Sequence, residues 1–408
     1  MSSSSDSSYA SNSSSTSSTS LNGNTRKPHK ANQAAWQAMN HLRQQHGQVG
    51  LDQFRLLYPV GSGSFGTVYA CKIKKPVSME FPDDCIYAMK VVDTQAQKAN
   101  AKNRVDSEKE ILRMVDHPFL PTLYAEFDVS HYSCFVMEYC PRGDLHHTVI
   151  NRQPAFVFSI ASAKFYAAEV LIALEYLHAM GIIYRDLKPE NVLVQEDGHI
   201  MLSDFDLSFK CDVVPKLLHC NLQPEDTDKT MIKSMSFFSS ILSHKYKEKK
   251  KKKTTQVRLE DSGIEFWAEP ITCRSSSFVG THEYLAPEMI SGLGYGSEVD
   301  WWAFGVFLYE LLYGKTPFKG KNNKTTLKNI LKQPLMFPEE AKQYYDQEMK
   351  NANDLIRKLL VKNPKKRMGS FWGAVEIKKH VFFRGVEWSL IRSVKPPILR
   401  SRENVTKL

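Results

Sequence analysis

The sequence lacks three features that would place the chain across a membrane or outside the cell. Its longest apolar run, residues 301–309, has nine residues, well below the ~18 that a membrane-spanning helix needs. The opening MSSSSDSSYA contains no apolar segment of the kind that directs secretion. The seven cysteines form no C-x-x-C pair, so neither a disulfide framework nor a zinc knuckle is indicated. We therefore expect a soluble, cytoplasmic protein.

The composition is that of an ordinary globular protein. Its 42% apolar and 24% charged residues exclude a collagen, a coiled coil and a wholly disordered protein. Its 408 residues allow two or three domains or one large two-lobed unit. The formal net charge of +10 favours anionic partners such as phosphate ligands, membrane lipids or nucleic acid, without choosing among them.

The pattern of apolar residues divides the chain into regions. The first twenty residues include thirteen serines and two threonines, which bury too little apolar surface to fold, and we predict a disordered tail over residues 1–50. Short β-rich runs follow, and helical periodicity replaces them after Pro141. The stretches 165–177 and 301–313 predict helices that are buried on nearly all sides. A strand-rich lobe followed by a helix-rich lobe indicates an α+β fold with a cleft.

A glycine-rich loop lies between two of the predicted strands. Gly61, Gly63 and Gly66 satisfy G-x-G-x-x-G, a pattern too short to separate dinucleotide-binding folds from kinases or from a plain hairpin. The residues after Gly66, TVYACKI, favour a strand, whereas a dinucleotide fold needs a helix there. We predict a hairpin whose backbone amides approach phosphates. The candidate nucleotide-binding residues of this hairpin are Val60, Gly61, Ser62, Gly63, Ser64, Phe65, Gly66, Thr67 and Val68.

A lysine and a glutamate follow the loop at suitable spacings. Lys90 lies on a predicted strand 24 residues after Gly66, and Glu108 starts a helical pattern 18 residues after the lysine. A strand lysine that is held by a helix glutamate can place its ammonium group on the α- and β-phosphates of a nucleotide. Glu110 is the rival partner, but Glu108 lies four residues before the apolar Leu112, and we predict the Lys90–Glu108 pair.

The run YRDLKPEN at residues 184–191 supplies the groups that phosphoryl transfer needs. That reaction requires a carboxylate near the incoming hydroxyl, a cation on the γ-phosphate and oxygen ligands for magnesium. Asp186, Lys188 and Asn191 are the candidates for these roles, and Asp204 in D-F-D adds a second oxygen ligand. Because Mg²⁺ favours a few hard oxygens together with the phosphates, Asn191 and Asp204 are the predicted metal ligands.

The order of these motifs, with A-P-E at residues 286–288 and D-x-W at residues 300–302, resembles the protein-kinase signature set. Tyr184 in place of histidine and F-V-G-T before A-P-E resemble the AGC group of serine/threonine kinases. D-F-D in place of D-F-G, a long insertion before A-P-E and KPHKAN ahead of the domain are similar to the plant branch that includes phototropins and the kinases of auxin efflux carriers. This resemblance implies an ATP- and Mg-dependent kinase.

The resemblance also implies the fold and its boundaries. A bilobal kinase fold has a small β-rich N-lobe and a larger helical C-lobe. The expected segments are the kinase domain 51–384 with N-lobe 51–137, hinge 138–143, C-lobe 144–384 and insertion 211–272, followed by the tail 385–408. A catalytically silent scaffold is the alternative of a different class, although the joint retention of Lys90, Asp186, Asn191 and Asp204 argues against it.

Individual roles follow from the resemblance. Asp186 is expected to act as the catalytic base or substrate-orienting carboxylate, and Lys188 is expected to bind the γ-phosphate. Met137 is expected as the gatekeeper before the hinge residues Glu138 to Cys140. The residues expected to enclose the adenine are Val68, Ala88 and Leu193. The resemblance also implies a buried structural ion pair between Glu288 and Arg367.

Substrate and regulatory residues are implied in the same way. Asp144 and Glu190 match acidic positions that face the substrate in basophilic AGC kinases, so protein substrates with basic residues upstream of the serine or threonine are expected. Ser277 is the expected activation-loop phosphosite, whose phosphate would pair with Arg185, and Ser275 and Ser276 are its close competitors. An upstream AGC-activating kinase or autophosphorylation would both suit this site.

The insertion carries the main concentration of positive charge. The cluster that begins at Lys245 and ends at Lys253 has seven lysines against one glutamate. Four apolar residues precede it with helical spacing, Met231, Met235, Phe238 and Leu242. An apolar stripe beside a basic cluster suits anionic membrane lipids. We predict peripheral binding at the plasma membrane. A nuclear localisation signal and a solvated charge run are the alternatives, whereas specific nucleic-acid binding is not expected because the lysine run lacks interleaved aromatics.

Overall fold

The structure, a computed structural model, describes residues 27–63, 66–74, 85–95, 101–149, 158–213, 216–219, 264–267, 270, 274–338 and 347–397. Within these residues a strand-rich lobe precedes a helix-rich lobe, so the expected α+β, bilobal arrangement is confirmed. The apolar core of the helical lobe continues into the first lobe through Ile111, Leu112 and Phe135. The described residues contain no helix that is both long and apolar enough to cross a bilayer.

The first lobe is built on a five-stranded antiparallel sheet. Its strands are β1 (Phe54–Gly63), β2 (Gly66–Ile73), β3 (Tyr87–Asp93), β4 (Leu123–Val129) and β5 (Tyr132–Glu138). Their order in the sheet is β1-β2-β3-β5-β4. β-Branched and aromatic residues, which favour strands, recur in these segments. The central strands β3 and β5 each have four consecutive buried residues. Helix α2 (Ala101–Met114) follows β3 in the chain.

The expected disordered tail is wrong for the part that the structure describes. Residues 28–30 form a 3-10 turn, and helix α1 (Ala34–His46) packs on the sheet through Trp36, Met39 and Leu42. This core also contains Tyr87 and other sheet residues. The serine-rich composition of the first residues did not indicate that an apolar helix face would follow and pack on the sheet. The serine-rich residues themselves lie outside the described part of the chain.

Two long apolar helices form the centre of the second lobe. They are α4 (Ile160–Ala179) and α6 (Glu298–Tyr313). Ser159 caps the start of α4, because its Oγ accepts a hydrogen bond from the Ser162 amide at 3.1 Å and satisfies one orphan donor of the first turn. Gly305 of α6 lies so close to a neighbouring core helix that a Cβ would be 2.8 Å from Leu359. Both helices are buried nearly all round, as predicted.

The remaining elements of this lobe are short or peripheral. The helices are α3 (Leu145–Val149), α4 (Ile160–Ala179), α5 (Pro287–Ser291), α6 (Glu298–Tyr313), α7 (Asn323–Lys332), α8 (Gln347–Leu359) and α9 (Gly373–Lys378). The short strands are β6 (Ile182–Ile183), β7 (Val192–Val194), β8 (Ile200–Leu202) and β9 (Phe209–Lys210). These strands pair as β6 with β9 and β7 with β8, and this pairing fixes the loops that carry the polar motifs.

The two ends of the predicted insertion pair with each other. Strand β10 (Lys216–His219) runs antiparallel to β11 (Ile264–Trp267), with His219 opposite Ile264. The lysine cluster and the apolar stripe between these strands lie outside the described residues. The two strands of the insertion that the structure describes therefore form a two-stranded ribbon.

Candidate active site

The glycine-rich segment is a hairpin between β1 and β2, as predicted. Gly63 pairs with Gly66 across the turn, while Ser64 and Phe65 lie outside the described residues. Gly66 has a φ of 150°, and a Cβ there would lie 2.3 Å from the carbonyl oxygen of Val91. Only glycine fits this close approach of two strands. The hairpin therefore lies directly on β3, next to Lys90, which is the partner of Val68 in the sheet.

Lys90 is the centre of a three-residue charge cluster. Its Nζ donates to Glu108 Oε1 and Oε2 at 2.7 and 2.8 Å and to Asp204 Oδ1 at 2.9 Å. Burial by itself would lower the pKa of Lys90, but the two carboxylates outweigh burial and the pKa lies above its usual value. The rival Glu110 pairs with Lys210 at 2.5 Å. The predicted Lys90–Glu108 pair is confirmed as a contact.

Asp186 lies at the centre of a second cluster. Its Oδ2 accepts hydrogen bonds from Lys188 Nζ at 2.7 Å and from Asn191 Nδ2 at 2.8 Å. Its Oδ1 accepts a longer bond, 3.3 Å, from Thr281 Oγ1. Because one carboxylate oxygen is held by two donors, the carboxylate has a fixed orientation. The other oxygen is the one that can accept a proton from an incoming hydroxyl.

Asp300, in the first turn of α6, anchors the backbone of the loop 184–191. Its Oδ2 accepts from the Tyr184 amide and its Oδ1 from the Arg185 amide, both at 2.8 Å, and His178 Nε2 lies 2.8 Å from Oδ2. Arg185 has a φ of 68°, a left-handed conformation that costs a non-glycine residue free energy. The sequence singled out D-x-W only as a motif, and the anchoring role emerges from the structure.

The D-F-D segment places two carboxylates at different depths. Asp204 has a φ of 60° and a side chain that is 37% exposed, whereas the side chain of Asp206 is 5% exposed. Burial and the nearby charge of Asp204 raise the pKa of Asp206 to about 7. Phe205 between them is fully buried against Tyr184, with ring centroids 5.5 Å apart. Asp204 therefore faces the cleft and Asp206 does not.

The residues predicted to enclose the adenine, Val68, Ala88 and Leu193, lie on β2, β3 and β7. Ala88 pairs with Met137 across β3 and β5, and Leu193 lies on β7. Cys140 Sγ is 3.7 Å from Met201 Sδ. The carboxylate of Glu138 is engaged elsewhere, since Oε1 accepts from Lys30 at 2.6 Å and Oε2 from the Thr122 amide at 3.1 Å. Only the backbone of Glu138 remains for a nucleotide.

The two predicted substrate acids lie next to each other. Asp144 accepts from the His147 amide at 2.7 Å, and Glu190 Oε1 is 4.0 Å from His146 Nε2. Because a ring nitrogen of His146 also lies within 4.8 Å of the Asp144 carboxylate, both carboxylates belong to one acidic surface. Asp144 also caps the first turn of α3 through this bond.

A further acid was missed by the sequence analysis. Glu310 lies on the apolar helix α6 and bonds to the Tyr284 hydroxyl. Burial and the negative charges of Glu190 and Glu283 raise the pKa of Glu310 to about 7. The only signal in the sequence was a single glutamate in a predicted helix that is otherwise almost wholly apolar. The apolar pattern indicated a core helix and gave this glutamate no role.

In the activation segment, Arg185 contacts Ser275 and not the predicted phosphosite Ser277. Arg185 Nη1 donates to Ser275 Oγ at 3.2 Å and to the Tyr295 hydroxyl at 3.1 Å. Ser277 is one step removed, with its Oγ 3.4 Å from Ser275 Oγ. Ser277 as the phosphosite stays a prediction, and its competitor Ser275 occupies the position next to the arginine.

The comparison with known proteins agrees with this arrangement. Residues 54–221 and 246–383 match the protein kinase domain family. Protein kinase PINOID 2 of Arabidopsis thaliana is 50% identical over 94% of this chain and 83% of its own length. Protein kinase PINOID 2 of Oryza sativa subsp. japonica is 50% identical, with 91% and 82% covered. Serine/threonine-protein kinase WAG1 of Arabidopsis thaliana is 47% identical, with 88% and 71% covered. The chain thus belongs to the protein kinase family and is a serine/threonine kinase of the plant AGC type.

Proposed function

We propose that this kinase transfers the γ-phosphate of Mg-ATP to serine or threonine in a basic sequence context, in plant signalling such as the regulation of auxin transport. The observation that carries the proposal is the meeting of two clusters in one cleft. Lys90, Glu108 and Asp204 form the first, and Asp186 with its two donors forms the second. The auxin context rests on the resemblance to the auxin-efflux-carrier kinases described above.

Each cluster has a separate task in the proposed reaction. Lys90, held by Glu108, binds the α- and β-phosphates, and Lys188 binds the γ-phosphate. Asp186 orients the incoming hydroxyl and accepts its proton. When bound, Mg²⁺ neutralises the charge that develops on the phosphates.

Asn191 and Asp204 fit the metal by their donor chemistry. Asn191 turns its donor Nδ2 to Asp186, so its Oδ1 is the acceptor that remains. Asp204 uses one oxygen for Lys90 and is partly exposed. Both therefore offer the hard oxygens that Mg²⁺ prefers.

The acidic surface supports the basic preference. Asp144 and Glu190 both lie beside His146, and the negative charges of Glu190 and Glu283 contribute to the raised pKa of Glu310. Such an accumulation of like charge is unfavourable by itself. An arginine or lysine of a substrate would relieve it, because opposite charge favours the ionised carboxylate.

We expect a peptide with arginine upstream of the serine to be phosphorylated about tenfold or more better, in kcat/KM, than its glutamine counterpart, since a hydrogen bond between charged groups contributes about 1.5–3 kcal/mol. Asp144→Asn should reduce this ratio. Glu310 is neutral below its pKa of about 7 and anionic above it, so the ratio should rise between pH 6 and 8. Steady-state kinetics with both peptides measures all three effects.

The control is Glu310→Gln, which removes the titrating group and should flatten the pH dependence of the ratio. Equal kcat/KM for the arginine and glutamine peptides at every position upstream would contradict the proposed context, even in a fully active enzyme.

We also propose peripheral binding of the chain to anionic lipid at the plasma membrane. The support is the charge of the cluster between Lys245 and Lys253, where each basic residue near an anionic leaflet contributes about 1 kcal/mol. The wild type should sediment with anionic vesicles and not with neutral ones, and alanine at Lys249, Lys250, Lys251, Lys252 and Lys253 should abolish this. Equal sedimentation of both proteins would contradict the proposal. Nuclear loss on the same substitution would favour the localisation-signal alternative.

Activation by phosphorylation, from an upstream AGC-activating kinase or from the chain itself, is proposed at Ser277. Because a phosphate carries about −1.5 to −2 charge, its pairing with Arg185 would order the segment. Ser277→Ala should lower kcat severalfold relative to the wild type after activation, and Ser276→Ala should not. Loss in Ser275→Ala, with wild-type activity in Ser277→Ala, would transfer the site to the serine that already contacts Arg185. Phosphopeptide mapping identifies the modified serine, and steady-state kinetics of the variants measures the effect of each substitution on kcat.

A further inference from the structure

A buried lysine ahead of the catalytic domain caps helix α2. Lys27 Nζ donates to the carbonyl oxygens of Leu112 at 3.4 Å, Arg113 at 3.2 Å and Val115, and Lys27 is only 3% exposed. The last four carbonyls of a helix have no partner within the helix, and a cation there also interacts favourably with the helix dipole. The single ammonium group therefore satisfies two of the last four carbonyls of α2, those of Leu112 and Arg113, and one carbonyl just beyond the helix.

The next residues reach the hinge. Lys30, also 3% exposed, donates to Glu138 Oε1 at 2.6 Å, and Glu138 is the last residue of β5. His29 Nδ1 lies 2.5 Å from Asp116 Oδ1, just beyond α2. The basic turn, residues 27–30, therefore bridges the end of α2 and the start of the hinge.

Helix α1 fixes this turn to the sheet. Trp36 and Tyr124 have ring centroids 6.0 Å apart, and the Tyr87 hydroxyl donates to the Ala35 carbonyl oxygen at 2.8 Å. Arg43 adds a hydrogen bond to the Tyr124 carbonyl oxygen. Since Tyr87 opens the strand that carries Lys90 three residues later, the basic turn is attached to the same rigid element as the nucleotide-binding lysine.

The capped end of α2 is one turn away from the residue that holds Lys90. Glu108 lies four residues before Leu112 on the same helix and is 3% exposed. If the last turn of α2 frays, the helix loses a contact that fixes its position along the sheet. The distance between Glu108 and Lys90 depends on that position.

We propose that residues 27–46 form a brace in which Lys27 and Lys30 are positioning residues for nucleotide binding. Lys27 keeps α2 and Glu108 in place against Lys90, and Lys30 keeps the hinge in place beside the adenine. Neither lysine contacts the reacting atoms. The inference rests on the kinase activity and not on the proposed substrate context.

The test compares full-length Lys27→Met and Lys30→Met with Lys74→Met, an exposed lysine of the same lobe, at temperatures below each variant's melting transition. We expect KM for ATP and Kd for ADP to rise about tenfold in the first two variants, the order of one hydrogen bond between charged groups. KM for the peptide should stay unchanged, and saturating ATP should restore most of kcat. In Lys27→Met, amides in the last turn of α2 should also exchange hydrogen faster.

A merely structural role gives another pattern, in which fewer molecules are folded, kcat falls and neither KM for ATP nor Kd for ADP changes. That pattern in both variants, or an equal rise in Lys74→Met, would overturn the proposal. If Lys27→Met does not fold, Lys30→Met carries the same readouts, because its loss leaves the cap of α2 intact. ADP binding needs no peptide, so failure of the basic-context proposal would not affect this result.

Discussion

Replacing Asp186 with asparagine should lower kcat by about 10²–10⁴-fold, the usual contribution of a positioned acid–base group, while Kd for ATP changes little. The asparagine carbonyl can take the place of Oδ2, where Lys188 and Asn191 donate. The amide nitrogen then occupies the Oδ1 position, where a proton must be accepted. Rapid-quench measurement of the transfer step separates this loss from product release.

Two further variants and a control make the result specific. Lys90→Met and Asp204→Asn should abolish transfer by a different route, through weaker binding of Mg-ATP, because both remove partners of the phosphates or the metal. Asp52→Asn, at an exposed carboxylate of the same chain, should retain wild-type kinetics. Full activity in Asp186→Asn, Lys90→Met or Asp204→Asn would refute the assigned roles.

The largest expected loss of stability comes from the confirmed ion pair between Glu288 and Arg367. The two side chains are 3% and 0% exposed and form two hydrogen bonds, at 2.6 and 2.8 Å. Arg367→Met leaves a buried carboxylate without its partner, which typically costs about 3–5 kcal/mol. We expect the urea midpoint of the catalytic domain to fall accordingly.

The neighbouring Lys365 provides the matched control. It is exposed, so Lys365→Met removes the same charge from the same segment and should leave the midpoint within experimental error. The double variant Arg367→Met/Glu288→Met should recover part of the loss, because replacing a buried pair by apolar side chains avoids the unpaired charge. A double variant that is less stable than Arg367→Met would show that the carboxylate is not the origin of the effect.

The motifs of the cleft could be predicted from sequence because their chemistry is local. The hairpin followed from β-branched residues after Gly66, and Asp186, Lys188 and Asn191 lie within six residues. The choice of Glu108 over Glu110 succeeded because Glu108 lies one turn before the buried Leu112, whereas Glu110 is two residues further on and therefore on the opposite face of the helix. The rejected glutamate lies at the surface with Lys210.

The misses are long-range contacts between residue types that usually remain in water. Lys27 and Lys30 contact residues 85 to 108 positions later, and two lysines beside a serine-rich tail indicate a solvated segment. Their burial depends on carbonyls and a carboxylate that only the folded lobe brings together. Glu310 was missed for the opposite reason, because its helix is apolar enough to mask one acid.

Because β10 and β11 pair as a ribbon, the length of the insertion between them need not affect the geometry of the catalytic residues. Because His219 and Ile264 are paired neighbours, residues 220–263 leave and return at the same place. The entropy cost of closing such a segment grows only logarithmically, about 0.6 kcal/mol for each doubling of its length. Segments of very different size, or a transplanted reporter domain, can therefore be exchanged at this point during evolution or engineering without displacing Asp204 or the A-P-E helix.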